Sequence, residues 1–239
     1  MNKKRKGRIL IKLSGESLMG NQKYGIDLKT VNRIASDIVS LKKLKLEICL
    51  VIGGGNIFRG LAASAKGMDR SNADYMGMLA TVMNSLAFQN ELENLNVETR
   101  VMSALSIHSI CETYIRRRAI RHMEKNRVVI CTAGTGNPYF STDTAASLRA
   151  AELECDEIFK ATQVDGIYNK DPKKYKNAKK LESITYTKYL SENLRVMDSA
   201  AVSIARENLI PIKIFSILKK NCFKNVYNDT QKYSVIKNV

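Results

Sequence analysis

Tryptophan is absent, aromatic residues make up only 7% of the chain, and no apolar run approaches the ~20 residues that a helix needs to cross a bilayer. A membrane span is therefore not expected, and the 44% hydrophobic content is that of an ordinary soluble globular protein. The basic start, "MNKKRKGR", looks like the opening of a signal peptide, but Lys12 and Ser14 break the apolar stretch behind it, so a cytoplasmic protein is expected. Cys-x-x-Cys spacing is missing. The five cysteines, Cys49, Cys111, Cys131, Cys155 and Cys222, are odd in number and scattered, which excludes a disulfide framework and leaves reduced thiols. No Gly-x-x-x-x-Gly-Lys-Ser/Thr string occurs, which argues against a P-loop. Internal repeats and long Pro/Gly/Ser linkers are lacking too, so residues 1–239 are expected to form one domain, with 1–7 as a flexible basic tail.

What is abundant is positive charge. Lys and Arg number 39 against 23 Asp and Glu, a formal net charge of +16, so anionic partners come into view. Nucleic acid would account for the surplus, and so would a nucleotide substrate. Many of the lysines are dispersed over solvent faces, and nucleic acid is not the favoured partner.

Short β-rich runs, "RILIKL" at Arg8, "EICLVI" at Glu47, "RVVICT" at Arg127 and "PIKIF" at Pro211, alternate with longer segments of helical period. Between the first two runs, Val31, Ile34, Ala35, Ile38 and Leu41 recur at helical spacing, giving a strand–helix–strand crossover and hence a parallel pair. From Asp74 onward Tyr75, Met78, Leu79, Val82, Met83 and Leu86 keep the same period. Met76, Ala80 and Ala87 extend the apolar surface to other faces, so this helix is expected to be buried broadly, by core or by a subunit interface.

Three glycine-bearing loops follow three apolar strands: "KLSGES", "IGGGNIFRG" and "AGTGNPYFSTD". In an open parallel sheet such loops converge on one edge, where helix N-termini present free N–H groups to anions. The third loop starts like a dinucleotide fingerprint, but Tyr139 occupies the third glycine position and Pro138 sits inside it, which disfavours that reading. Lys12 lies at a strand end where its ammonium could reach charge between two nucleotides, and Ser14 and Gly15 let backbone N–H groups approach phosphate. Gly53, Gly54 and Gly55 carry no Cβ to hold a ligand away, and Arg59 is either a phosphate fork or an exposed structural arginine. Asp74 is either a helix N-cap or an acceptor for ribose hydroxyls. In the third loop Thr135, Asn137, Ser141 and Thr142 offer donors and acceptors, Tyr139 and Phe140 can wall a flat ring, and Ser141 or Thr142 can cap the following helix. Asp143 either stabilises that helix N-terminus or orients a nearby cation such as Lys12. In "KATQVDGIYNKDP", Tyr168 could stack on a base and Asp171 could accept from a nucleoside, although "VDG" alone could be a plain turn.

Together "KLSGE", "IGGGNIFRG", "DYMGMLATVMN", "AGTGNPYFSTDTAA" and "KATQVDGIYNKDP" resemble, in order and over nearly the whole length, the bacterial uridylate kinases of the amino acid kinase family. The resemblance implies a three-layer α/β/α sandwich around a mostly parallel sheet, assembled as a homohexamer. It also implies phosphoryl transfer from ATP to UMP with Mg2+. By the same resemblance Lys12, Leu13, Ser14, Gly15, Gly55 and Arg59 belong to the ATP phosphate side, and Thr162, Tyr168 and Asp171 to the adenosine side. Gly54, Asp74 and the run Thr135, Gly136, Asn137, Pro138, Tyr139, Phe140, Ser141 and Thr142 belong to the UMP pocket. Lys12 stabilises the transferring group with Asp143 holding it, and both are the expected catalytic residues. Lys160 is a second cation, Asp198 caps a helix, and no protein metal ligands are assigned.

Overall fold

The computed structural model describes residues 7–60, 67–170, 174–175 and 177–238. Nine strands join one sheet: β1 (Arg8–Leu13), β2 (Glu47–Ile52), β3 (Thr99–Ser103), β4 (Glu112–Thr113), β5 (Val128–Thr132), β6 (Glu157–Thr162), β9 (Ser183–Ile184), β10 (Ile212–Ser216) and β11 (Ser234–Ile236). Their order is β4-β3-β5-β2-β1-β6-β10-β11-β9. Every neighbouring pair is parallel except β10 with β11. A separate antiparallel pair, β7 (Ile167–Tyr168) and β8 (Lys180–Leu181), stands beyond β6.

All six residues of β1 and of β2 are buried, the continuous pattern of parallel strands covered on both faces. Alternation along the strands then sorts the core into two layers. Ile9, Ile11 and Leu13 with Ile48, Leu50 and Ile52 face the helix Leu28–Lys42 and Phe88 and Leu92 of the helix Arg70–Asn94. Leu10, Cys49 and Val51 face the helices Thr142–Glu152 and Ser199–Glu207. The architecture is thus a helix–sheet–helix sandwich around a mostly parallel sheet. The first helix buries Val31, Ile34, Ala35, Ile38 and Leu41, the set its spacing marks, and Asp27 caps it by accepting from the Thr30 amide at 2.8 Å. All five cysteines are free thiols. Among the described residues no helix is long and apolar enough to cross a membrane.

Of the two covers expected for the Arg70–Asn94 helix, core or subunit interface, this chain's own core supplies only one side. Met78, Ala80, Val82 and Phe88 are buried, but Tyr75, Met76, Leu79 and Met83 are 41–55% exposed. Polar Thr81, Asn84 and Ser85 occupy its inner side instead. The physical reason lies in the loops that this side supports. Asn84 donates to the Gly53 carbonyl at 2.7 Å and exchanges amide hydrogen bonds with Asn56, while Thr81 accepts from the Ala133 amide at 2.8 Å. Buried loop backbone needs polar partners, and these side chains supply them.

Candidate active site

Lys12 on β1 and Lys160 on β6 are register partners on adjacent parallel strands. They share the phase of Leu10 and Ile158, so both point to the face covered by the Thr142–Glu152 helix. Asp143, in the first turn of that helix, meets both. Its Oδ1 lies 2.6 Å from Lys12 Nζ, and its Oδ2 accepts a short hydrogen bond from Lys160 Nζ. The lysine side chains are 8% exposed and the carboxylate 14%. Burial alone would raise the Asp143 pKa, but the two ammonium groups outweigh it and hold this carboxyl well below the usual range. Burial lowers Lys160 to about 8, with Asp143 opposing the shift and the Lys12 charge adding to it. Within this triad two cations meet one anion at a partly desolvated point, and the Asp198 carboxylate acts on Lys160 from nearby.

Two helix N-termini close on this centre. Ser141 caps the Thr142–Glu152 helix, accepting from the amides of Asp143 and Thr144 at 3.0 and 3.2 Å. Asp198 caps the Ser199–Glu207 helix through the Ala201 amide at 2.8 Å. The same Asp198 carboxylate accepts from the Thr144 hydroxyl at 2.9 Å and from the Ser141 hydroxyl in a short bond, tying the two helix starts together. Both helix ends present the positive pole of their dipoles.

The glycine loops meet at the same rim. A Cβ on Gly15 would stand 2.5–2.7 Å from Asn56 Oδ1, the Gly53 carbonyl and the Gly55 amide, so the first loop rests on the backbone of the second. A Cβ on Gly54 would meet the Gly77 carbonyl at 2.8 Å, which fixes the second loop against the Arg70–Asn94 helix. Three clefts run along the rim. A small one of about 150 Å³ is lined by Gly54, Asp74, Thr81, Phe140, Ser141 and Thr142. One of about 840 Å³ holds Lys12 and Asp143 and shares Ser141 and Thr142 with the first. One of about 600 Å³ is lined by Thr162, Tyr168 and Lys170 and shares Asn193, Leu194 and Arg195 with the second. The result is one groove with a cationic point between two unlike ends.

A family model described as the amino acid kinase family matches residues 7–216. The chain belongs to the amino acid kinase family. Curated relatives of this amino acid kinase include the uridylate kinase of Cereibacter sphaeroides, 55% identical over 227 residues that cover 95% of this chain and 92% of that protein. The uridylate kinase of Zymomonas mobilis is 55% identical over 219 residues, 92% of this chain and 90% of that one. Among solved structures, the UMP kinase from Ureaplasma parvum superposes with a TM-score of 0.93 at 41% identity, covering 98% of this chain and all of that one. The UMP kinase from Bacillus anthracis gives 0.93 at 36% identity, covering 98% and 97%.

The expected site residues of this amino acid kinase fall into distinct places. The Leu13 side chain is fully buried in the core, and only its backbone serves the rim, accepting from the Gly53 amide at 2.9 Å. The Ser14 hydroxyl pairs with that of Ser17 at 2.8 Å. Arg59 is exposed, with Nη2 2.6 Å from Glu16 Oε1 and Nε donating to the Gly55 carbonyl at 3.2 Å. Asp74 is not an N-cap; Asp69 caps that helix, and Asp74 one turn in accepts from Arg70 Nε at 2.8 Å and from the Tyr139 amide at 2.7 Å. Phe140 lines the small cleft, whereas Tyr139, held at a φ of 71°, lies outside it with Arg70 over its ring at 5.4 Å. The Thr135 hydroxyl bridges the amide and carbonyl of Asn137, and Gly136 backs onto Ala104, so with Pro138 these residues shape the loop and do not line the small cleft. Tyr168 donates to Asp165 Oδ1 at 2.8 Å, which raises its pKa. Asp171 lies outside the described residues, as do residues 1–6 of the expected 1–7 tail, while the Gly7 carbonyl accepts from the Glu47 amide at 2.9 Å.

Sequence reasoning missed Asn56, Thr81 and Asn84, which hold the glycine loops, and the stretch 193–197 that joins two clefts. For Thr81 and Asn84 a signal existed, polar residues interrupting the inner side of an otherwise apolar helix, whereas Asn56 lies in the turn after β2 and carried none. For 193–197 none did, because those residues make no recognisable pattern.

Proposed function

We propose that the chain is a uridylate kinase that transfers the γ-phosphoryl group of ATP to the 5′-phosphate of UMP, reversibly giving UDP and ADP in pyrimidine nucleotide biosynthesis. The carrying observation is the small cleft: a carboxylate, Asp74, an aromatic ring, Phe140, and hydroxyls, with no lysine or arginine among its described lining residues. A carboxylate or carbamate acceptor would need a compact cationic clamp and would be repelled by Asp74. Ribose hydroxyls, by contrast, donate to a carboxylate, and a base has a flat face for Phe140.

The acceptor phosphate oxygen is already ionised and nucleophilic, so the reaction needs alignment and charge neutralisation rather than a general base. On this reading Asp74, Phe140, Ser141 and Thr142 bind UMP, and Thr162, Tyr168 and Asp171 serve adenosine. The backbones of Leu13, Ser14, Gly15, Gly54 and Gly55 approach phosphates, with Arg59 turning from Glu16 to the donor. Lys12 and Lys160 meet the transferring group while Asp143 keeps both ammonium groups at one point.

Mg2+ fits as an ion carried chiefly by the triphosphate and water. Among the described residues no cluster of three or more His, Cys, Asp or Glu side chains is built to cage a metal. Asp143 and Asp198 are the nearest carboxylates to the centre, each already engaged by cations or donors. When bound, the ion neutralises β- and γ-phosphate charge. The exposed Tyr75, Met76, Leu79 and Met83 support self-association, which we take to be homohexameric, and we place the enzyme in the cytoplasm.

An ADP-release assay with UMP, CMP, dUMP, aspartate and carbamate tests the assignment. Turnover with UMP well above every other acceptor is expected, and turnover with an acid but not with UMP overturns it.

A further inference from the structure

We propose that Arg195 is a donor-phosphate residue, its guanidinium binding the outer phosphates of the nucleoside triphosphate where the donor cleft opens onto the Lys12–Asp143–Lys160 centre. The inference rests on the kinase reading above, and it adds a binding group that none of the sequence motifs contains.

Placement is the first argument. Asn193, Leu194 and Arg195 line both the cleft of Thr162 and Tyr168 and the cleft of Lys12 and Asp143, so a triphosphate reaching from one to the other passes this segment. Rigidity is the second. The segment joins the helices Tyr186–Ser191 and Ser199–Glu207. At its near end Asn193 is left-handed, with a φ of 51°, and ends the first helix. At its far end the hydroxyl of Tyr189, itself 1% exposed, donates to the Met197 carbonyl at 2.9 Å and accepts from the Met197 amide at 2.7 Å. Asp198 then anchors the next helix to Ser141 and Thr144. Arg195 is therefore carried on a short arch pinned at both feet.

Charge is the third argument. Lys12 and Lys160 share Asp143, Arg59 is paired with Glu16, and Arg149 is committed to Glu152 and the Tyr114 ring. Arg195, although exposed, has no ion pair or hydrogen bond from its side chain among the described residues. A triphosphate brings several negative charges, whereas the two lysines of the centre already face Asp143, and Lys160 also feels the nearby Asp198. An arginine fork matches phosphate oxygens, and with no protein carboxylate to leave it gives up no existing pair on binding.

The test uses Arg195→Ala, Arg195→Gln and Arg195→Lys in the full chain, with binding of ATP, ADP, AMP and adenosine measured calorimetrically without UMP. About tenfold weaker ATP binding is expected in the Ala and Gln variants, the size of one charge-assisted hydrogen bond partly screened by solvent. The loss should shrink for ADP, vanish for AMP and adenosine, and be partly restored by lysine, with KM for UMP and the melting temperature unchanged. Equal losses for all four ligands mean that the residue merely shapes the arch, and no loss for ATP means that it does not touch phosphate; either result overturns the proposal. If the phosphate-graded loss appears but UMP is not phosphorylated, the acceptor assignment falls and the Arg195 assignment stands.

Discussion

The two ends of the groove are built in opposite ways. The end proposed for the acceptor is tight: Gly54 lies against the Gly77 backbone, Asp74 is held by Arg70 and by the Tyr139 amide, and Thr81 fixes Ala133. Its residues come from motifs contiguous in sequence. The end proposed for the donor is wider, formed by the end of β6, the β7 turn and the arch at 193–197, with Tyr168 satisfied by its neighbour Asp165. The contrast teaches that selectivity resides where polar groups are already locked and would be left unpaired by a wrong ligand. On the proposed reading the donor end works through charge and reach.

Three measurements would break or sharpen this contrast. The largest effect is expected at the centre that belongs to neither end. Lys12→Ala should lower kcat by roughly 10²–10³, the range for losing one preorganised transition-state contact, with both KM values changed little. Steady-state kinetics with ATP and UMP varied in turn checks this, and equal loss of ground-state binding would show that Lys12 is only a binding group. Next, Asp74→Asn should raise KM for UMP by between about tenfold and a hundredfold, the loss of charged hydrogen bonds, and leave KM for ATP unchanged. A rise in both would mean that the ends are not independent.

The smallest effect is a pH dependence common to both substrates. Lys160, at about 8, loses its charge as the pH climbs, so kcat/KM should fall by about fivefold between pH 8 and 9, alike for ATP and UMP. Stability should move the other way. Between about 8 and the ordinary lysine value of 10.5 the unfolded chain binds more protons than the folded one, so this group's contribution to stability rises with pH across that window. Rate and melting profiles from pH 7 to 10 separate the two. A Lys160→Met variant that kept the same alkaline limb would remove Lys160 as its origin.

The parts legible in sequence were those in which one residue's chemistry conflicts with its surroundings. Lysine inside "RILIKL" is out of place in a strand buried on both faces, and three glycines after "CLVI" exceed what a turn requires. The Leu28–Lys42 helix was readable because a single face is apolar. The Arg70–Asn94 helix was legible only as apolar on several faces, because periodicity records which residues are apolar, not whether this chain or a second copy covers them. Its inner side had to be polar to hold two loops, so the apolar residues Tyr75, Met76, Leu79 and Met83 face outward. Asp74 looked like a cap, but Asp69, with the same chemistry, lies nearer the true start. The arch at 193–197 was illegible because its role comes from Tyr189 and Asp198 at its feet, a relation made only by folding.

The pairing of Lys12 with Lys160 across β1 and β6 sets a fixed gauge for the proposed reaction. Neighbouring strands lie about 4.8 Å apart, and a slip of one residue would turn one ammonium group to the opposite side. The separation of the two cations is thus a lattice constant of the sheet. Exchanging side chains cannot retune it, and a change of acceptor geometry would have to come from the loops around a ruler that stays the same.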